Sequence, residues 1–332
     1  MPVGGGRSAT ARHGALWRTG AEADRLAAMK VVVSGSSGLI GTALVRSLEQ
    51  DGHEVVRLVR RDPSGPHEVR WAPEQGSGAV DAGLHAAVDG ADAVVNLAGA
   101  GVAEKRWDDA WKREILDSRV AATTAIASAI SDVARKPRVL VSGSASGFYG
   151  DTGPTAATEA DGPGSTYLAR VCVAWEQAAD AARDAGVRVV HPRTGTVADP
   201  DGGAFGRWLP IFKLGGGGPL GSGKQWWSLI SLTDEVRGIR WAIDHDDVVG
   251  AANFAAPEQT TNGALAKALG SALHRPALVP APGFALRAVL GDFADELLID
   301  QRMAPAVLEA SGFEFAHPTI ASIVDDMLGD GS

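Results

Sequence analysis

The chain of 332 residues has a single cysteine, Cys172. That excludes an internal disulfide and any cysteine-based metal site. It is compatible with a reducing cytoplasm, the compartment expected for the protein. Long apolar runs are also missing. None approaches the roughly 20 residues needed to span a bilayer, so the chain is expected to be soluble, without a membrane partner. Positive charge is not in excess: 31 Lys and Arg stand against 40 Asp and Glu, a net charge of −9. The basic residues are scattered, which argues against a nucleic-acid surface. The histidines show no pair at metal-ligand spacing, and His53 and His191 read as structural, so no metal is expected. Internal repeats and coiled-coil heptads are absent too.

What is present in strength is one stretch near the start, Met29 to Gly41. The β-branched run Val31–Val33 ends in Gly35-Ser36-Ser37-Gly38-Leu39-Ile40-Gly41, a G-x-x-G-x-x-G spacing. A helical pattern with Leu44, Val45 and Leu48 on one face follows directly. A strand turning tightly into a helix aims free backbone N–H groups at one point, where the helix dipole also favours negative charge. Gly35 and Gly38 would let a pyrophosphate approach the backbone, and Gly41 would let the helix pack close to the strand. The stretch reads as a dinucleotide site.

Strand two, Gly52 to Arg61, ends in Arg60 and Arg61. At this position an acidic residue suits the ribose hydroxyls of NAD, whereas an arginine pairs with a 2′-phosphate. Arg60 and Arg61 therefore point to NADP(H), and Asp62 keeps NAD(H) open. Residues 63–78 read as a Pro- and Gly-rich loop around Val69-Arg70-Trp71. A buried strand then ends in Asn96-Leu97-Ala98-Gly99, at the sheet edge where ligands collect. Further helices (about 108–134 and 166–185) and strands (138–143 and 187–190) follow. This alternation predicts an α/β fold of Rossmann type, a doubly wound parallel sheet.

Residues 1–28, rich in arginine, read as a disordered tail or a start placed too early. Residues 29–245 are assigned to the dinucleotide-binding domain, with substrate-side insertions from about 200. Residues 246–332 form a small, mostly helical C-terminal region on the substrate side. The glycine loop 215–223 and Trp226-Trp227 are expected either to close over a substrate or to pack as ordinary core. A homodimer is left open.

These residues resemble the short-chain dehydrogenase/reductase superfamily in its extended form. The glycine stretch, Asn96-Leu97-Ala98-Gly99, Trp107 with Ser118-Arg119, Ser144 to Gly150, Thr158-Glu159, Leu168 to Glu176 and the loop 215–225 carry the likeness. More narrowly, the chain resembles an atypical NAD(P)-dependent epimerase/dehydratase-like branch with a C-terminal domain of unknown function, here at about 280–328. The resemblance implies cofactor contacts from Leu97, Ala98, Gly99, Arg119, Ser142 and Arg193 besides the glycine stretch and the arginines.

In the superfamily a Tyr-x-x-x-Lys pair trades the proton while the nicotinamide trades a hydride. This chain has two tyrosines. Four residues after Tyr149 stands Gly153, and four after Tyr167 stands Val171, so no such pair exists. Registering the helix on Trp175-Glu176 puts Leu168 and Cys172 in the two positions. Ser144 matches the superfamily's serine, and Tyr149 could position a substrate carbonyl. Without a cation its phenol should keep a pKa near ~10. Cys172 reads as a buried hydrophobe sooner than a nucleophile, and Glu159 as a solvated loop carboxylate sooner than an acid or base. Ser231 stands where related sequences carry a histidine, which removes another acid–base group. Two functions follow from the resemblance. One is an NADP(H)-binding epimerase or oxidoreductase with a small carbonyl or sugar-like substrate. The other is a nucleotide-sensing or scaffold protein that has lost the chemistry, relatives having been linked to plastid cell division.

Overall fold

The structure, a computed structural model, describes residues 28–73 and 82–329. The leader assigned to residues 1–28 lies, but for its last residue, outside the described residues. Seven strands form the long path of one parallel sheet. They are β1 (Lys30–Ser34), β2 (Glu54–Val59), β3 (Glu68–Arg70), β4 (Ala93–Asn96), β5 (Val139–Ser142), β7 (Arg188–Thr194) and β11 (Gly250–Phe254). Their spatial order is β11-β7-β5-β4-β1-β2-β3, with the short β6 (Ser144–Ala145) paired to β7. The order reverses between β1 and β4, the crevice where open α/β sheets bind ligands.

The strands form because their β-branched runs are buried on both faces: Val31 to Val33, Val94, Val95 and Val139 to Val141 are all 0 % exposed. On one face α1 (Leu39–Gln50) and α7 (Leu232–Asp244) bring Leu44, Leu48, Ile239 and Ile243 onto the sheet. On the other, α2 (Ala82–Val88), α3 (Asp109–Asp132) and α5 (Asp180–Asp184) bring Leu84, Ile126, Ile130 and Ala182. The helix expected over 166–185 is divided into α4 (Tyr167–Gln177) and α5, and Gly186, with φ +83°, ends it.

Two departures from the sequence reading bear on the site. The loop around Val69-Arg70-Trp71 contains the edge strand β3, which pairs in parallel with β2 through Arg57↔Glu68 and Val59↔Arg70. The sheet also continues past residue 245, because β11 pairs with β7 from Gly250↔Val190 to Phe254↔Thr194. The dinucleotide-binding unit therefore includes the segment 250–254 that had been assigned to the C-terminal region.

The remaining elements build a separate apolar cluster. α6 (Phe205–Lys213), β9 (Trp226–Trp227), α8 (Asn262–Ala272) and α12 (Ile320–Gly329) enclose Phe205, Leu209, Trp227, Leu265, Leu269 and Ile323. The short strand β10 (Leu229–Ser231) pairs with β8 (Thr196–Ala198) and leads into α7. Buried Asp234, in the first turn of α7, accepts the backbone N–H groups of Ala316 and His317 at 2.8 Å each, tying the C-terminal segment to the sheet. α9 (Gly283–Leu290) and α10 (Phe293–Leu297) lie against the loop after β4, where Trp107 stacks on Phe293 with centroids 5.0 Å apart.

Candidate functional site

The turn between β1 and α1 owes its shape to glycines. Gly35 has φ +69°, and a Cβ there would lie 2.6 Å from the Leu97 carbonyl carbon. A Cβ on Gly41 would stand 2.2 Å from the Gly35 oxygen. Both positions exclude any larger residue, Gly35 to let β1 pass the β4 edge and Gly41 to seat the helix on the turn. Gly38 is the N-cap and offers no capping side chain. The first-turn amides of α1 are thus left for an anion at the positive end of the helix dipole.

This turn forms one wall of a cleft of about 870 Å³, within the ~300–1,000 Å³ typical of ligand pockets. Gly35, Ser36, Ser37 and Gly38 line it, as do Arg60, Arg61, Leu97, Ala98 and Gly99. The structure therefore gathers nine of the predicted cofactor residues around one cavity. Leu39 and Ile40 turn their side chains elsewhere. Leu39 would clash with a Cβ on Gly202, and Ile40 packs on the core. Neither is among the residues that line the cleft.

At the far edge the two arginines differ. Arg61 is committed to Glu68, donating to both carboxylate oxygens at 2.7 Å. Glu68 also accepts from the Ser64 backbone and hydroxyl at 2.7 Å. The Arg61 bonds and those from Ser64 hold the buried carboxyl far below the usual range. Arg60 is exposed at the rim one residue past β2. The arrangement makes Arg61 a brace for the β2–β3 loop and sets Arg60 on the rim of the cleft.

The opposite wall is fixed by a buried polar chain. Ser34 Oγ donates to Asn96 Oδ1 at 2.6 Å, and Asn96 Nδ2 donates to Thr123 Oγ1 at 2.8 Å. This chain ties the ends of β1 and β4 to α3 through fully buried groups. Beyond it, Ser118 Oγ accepts from Ala100 N–H at 3.0 Å. Arg119 lies across Gly99, where a Cβ would meet its Cγ at 2.9 Å.

The helix that would carry the proton-transfer pair holds Leu168 and Cys172 instead. Cys172 is buried, its thiol pushed up to about 12, chiefly by burial and then by Glu176. It is inert packing. Ser144 and Tyr149 are each 5 % exposed and belong to one internal network. Ser144 donates to Glu176 Oε1 at 2.7 Å, and Tyr149 donates to Asn253 Oδ1 at 2.7 Å. Arg193 joins them, donating to both Glu176 oxygens at 2.9 and 3.0 Å and to the Tyr149 hydroxyl at 2.8 Å. Burial raises the Tyr149 pKa although Arg193 works against it. Arg193 is thus an internal partner of Glu176, away from the cleft-lining residues, and Ser142 is wholly buried at the end of β5.

Glu159 is not a solvated loop carboxylate. Its Oε1 accepts from Asn253 N–H at 2.8 Å and Val307 N–H at 3.1 Å, latching β11 to α11 (Ala306–Ala310). Ser231 caps α7 by accepting from Asp234 N–H, and a histidine does stand beside it: His317 Nδ1 lies 3.0 Å from Ser231 Oγ. That imidazole comes from the C-terminal segment and sits between Asp234 and Asp326. Of the two expectations for the tryptophans, packing holds. Trp227 is buried and stacks on Trp208 at 5.0 Å, and Trp226 lies under the Arg302 guanidinium at 4.1 Å.

Sequence reasoning missed several cleft residues: Arg57, Trp71, Trp111, Glu114 and Ser118. Arg57 could have been found from the two-residue period of β2, since it lies on the strand face opposite Val56 and Leu58. Trp71 offered no such signal because β3 itself was read as loop. Among the described residues no group of three or more His, Cys, Asp or Glu is placed to hold a metal ion.

Comparison with known proteins agrees with this geometry. Residues 31–254 match the NAD dependent epimerase/dehydratase family, and residues 281–327 match a domain of unknown function, DUF1731. An epimerase family protein of Mycobacterium bovis is 44 % identical over 291 residues, covering 87 % of this chain and 94 % of the relative. The human epimerase family protein SDR39U1 (isoform 2), solved with NADPH, superposes with a TM-score of 0.81 at 31 % identity, covering 91 % of this chain and all of that one. A nucleoside-diphosphate sugar epimerase from Corynebacterium glutamicum gives 0.75 at 31 % identity, covering 92 % of this chain and 59 % of its own. The chain belongs to the NAD dependent epimerase/dehydratase family and carries the DUF1731 domain behind its dinucleotide-binding sheet.

Proposed function

We propose that the chain is an NADP(H)-binding oxidoreductase of epimerase type that acts on a small carbonyl or sugar-like substrate without a Tyr-x-x-x-Lys pair. The observation that carries the reading is the cleft, with uncapped helix amides at its centre and Arg60 at its rim. The NADPH of the human relative supports the choice of cofactor. A bound nicotinamide supplies or accepts hydride. The chain's own part is to anchor the diphosphate on the α1 amides, to meet a 2′-phosphate with Arg60, and to orient the rest along Leu97–Gly99. Ser144 and Tyr149, proposed to polarise the substrate oxygen, can do so only by exchanging their bonds to Glu176 and Asn253.

That internal engagement favours a second reading, a nucleotide-responsive protein that binds cofactor and performs no hydride transfer. The two separate in one experiment. NADPH-loaded protein is offered a broad panel of aldehydes, ketones and keto-sugars while the reduced-nicotinamide absorbance is followed. The first reading predicts turnover with part of the panel, reduced by Ser144→Ala. Tight NADPH binding with no turnover anywhere on the panel sinks it and leaves the second.

A further inference from the structure

Six of the seven large apolar side chains that stand exposed among the described residues fall in two segments. Ile211 and Leu214 lie at the end of α6, and Leu278, Val279, Phe284 and Val289 on the stretch that leads into and forms α9. Leu214 is 89 % exposed and Leu278 81 %. The two segments run side by side. Val279 N–H donates to the Gly217 carbonyl at 3.1 Å, Ala281 N–H to that of Pro219 at 2.9 Å, and Arg275 Nε to that of Lys213 at 3.0 Å. α6 already buries Phe205, Leu209 and Phe212, so Ile211 and Leu214 are apolar beyond what its packing needs. α9 has no buried residue at all. Exposed apolar surface gathered in this way marks a place of contact.

Charge says what the contact is with. Residues 202–233 and 259–291 contain no Asp or Glu, in a chain of net charge −9 that carries one in about every eight residues. They contain Arg207, Lys213, Lys224, Lys267, Arg275 and Arg287. Among the described residues only Arg287 of these forms an ion pair, with Asp295. A second copy of the chain would set this positive face against itself, with no carboxylate in either segment to relieve it. An acidic protein is disfavoured too, since lysine is depleted at such interfaces and Gly215–Gly218, beside Leu214, bring no side chains for specific contact. A bilayer surface asks only for protruding apolar groups flanked by cations. Ile211 and Val279 also line an apolar pocket of about 80 Å³ with the buried Phe212 and Leu269, room for the end of an acyl chain. The expectation of no membrane partner rests on the length needed to span a bilayer. No described helix is long and apolar enough to cross one, and lying on a surface needs no such length.

We propose that the end of α6 and the adjoining 275–279 stretch form a contact for an anionic lipid surface. Leu214 and Leu278 enter the boundary between headgroups and acyl chains, and Lys213 and Arg275 meet the anionic headgroups.

Co-flotation of the full chain with vesicles tests this, comparing phosphatidylcholine alone with phosphatidylcholine containing about a third phosphatidylserine. The wild type should bind the anionic vesicles at least about tenfold more tightly than the neutral ones. Leu214→Ser/Leu278→Ser should lose at least about tenfold on anionic vesicles, and Lys213→Glu at least about fivefold. Val249→Ser, at the one exposed apolar residue outside the two segments, should bind as the wild type does. All variants should keep the wild-type melting temperature, because the replaced side chains are exposed. Wild-type protein that ignores anionic vesicles, or binds neutral ones equally well, overturns the proposal. So does binding that both patch variants retain, or that Val249→Ser loses to the same extent. Retention on polyglutamate without vesicle binding would assign the face to an acidic protein, and a dimer that Leu214→Ser/Leu278→Ser dissociates would assign it to a second copy. Either result overturns the lipid contact.

Discussion

At Gly35 a side chain is excluded twice, by a φ of +69° and by the Leu97 backbone 2.6 Å from where its Cβ would be. Gly52, with φ +81° and nothing within 4 Å, is excluded only once. Gly52→Ala should therefore cost about 1–2 kcal/mol, the price of the left-handed region alone. Gly35→Ala should cost about 2–4 kcal/mol, because overpacking adds to it. Urea denaturation of the two variants checks the difference; equal losses would mean that the close approach to β4 does not matter. Such residues were legible because glycine spacing reports backbone demands directly. Arg61 was not: adjacent arginines look alike in sequence, and only the bidentate bond to Glu68 separates the brace from the rim residue.

At the scale of elements, the strands with β-branched runs were readable and those without were not. β3 has three residues and begins with a buried carboxylate, and β11 is built largely from glycine, alanine and asparagine. Neither displays apolar periodicity; pairing with β2 and β7 alone makes them strands. The replacement of the Tyr-x-x-x-Lys pair could be read from spacing. The engagement of Ser144 and Tyr149 by Glu176 and Asn253 could not, since Asn253 lies 104 residues from Tyr149. α7 carries a further consequence of burial. Glu235, 1 % exposed, accepts from Thr194 Oγ1 at 2.9 Å through one oxygen, while the other has no partner among the described residues. Burial raises its pKa from 4.5 to about 8, against the Thr194 bond. Between these values the folded chain keeps a proton that the unfolded chain has released, so this group's contribution to stability falls as pH rises from about 4.5 to about 8. Glu235→Gln should remove that slope and be more stable than wild type at pH 8, with the gap closing toward pH 4.5. Thermal unfolding across that range decides it; parallel curves for the two proteins would contradict the buried neutral carboxyl.

For the molecule as a whole, the sheet that binds the cofactor ends at Phe254, and the C-terminal segment closes back on it through Asp234, Glu159 and α10. Glu296 of α10 accepts Leu168 N–H at 3.1 Å, so the small domain docks on the first turn of α4, beside the position of the missing tyrosine. Doubly wound architecture and cofactor turn were both evident in the chain because each is written locally. The docking is not, because each contact joins residues far apart in sequence. The account stands on the cleft between Gly35 and Arg60, and titration of NADPH and NADH into wild-type and Arg60→Ala protein tests it most directly. NADPH should bind at least about tenfold more tightly than NADH to the wild type, and Arg60→Ala should erase the difference. Equal affinity for the two cofactors in the wild type, or a preference that survives the substitution, would contradict it.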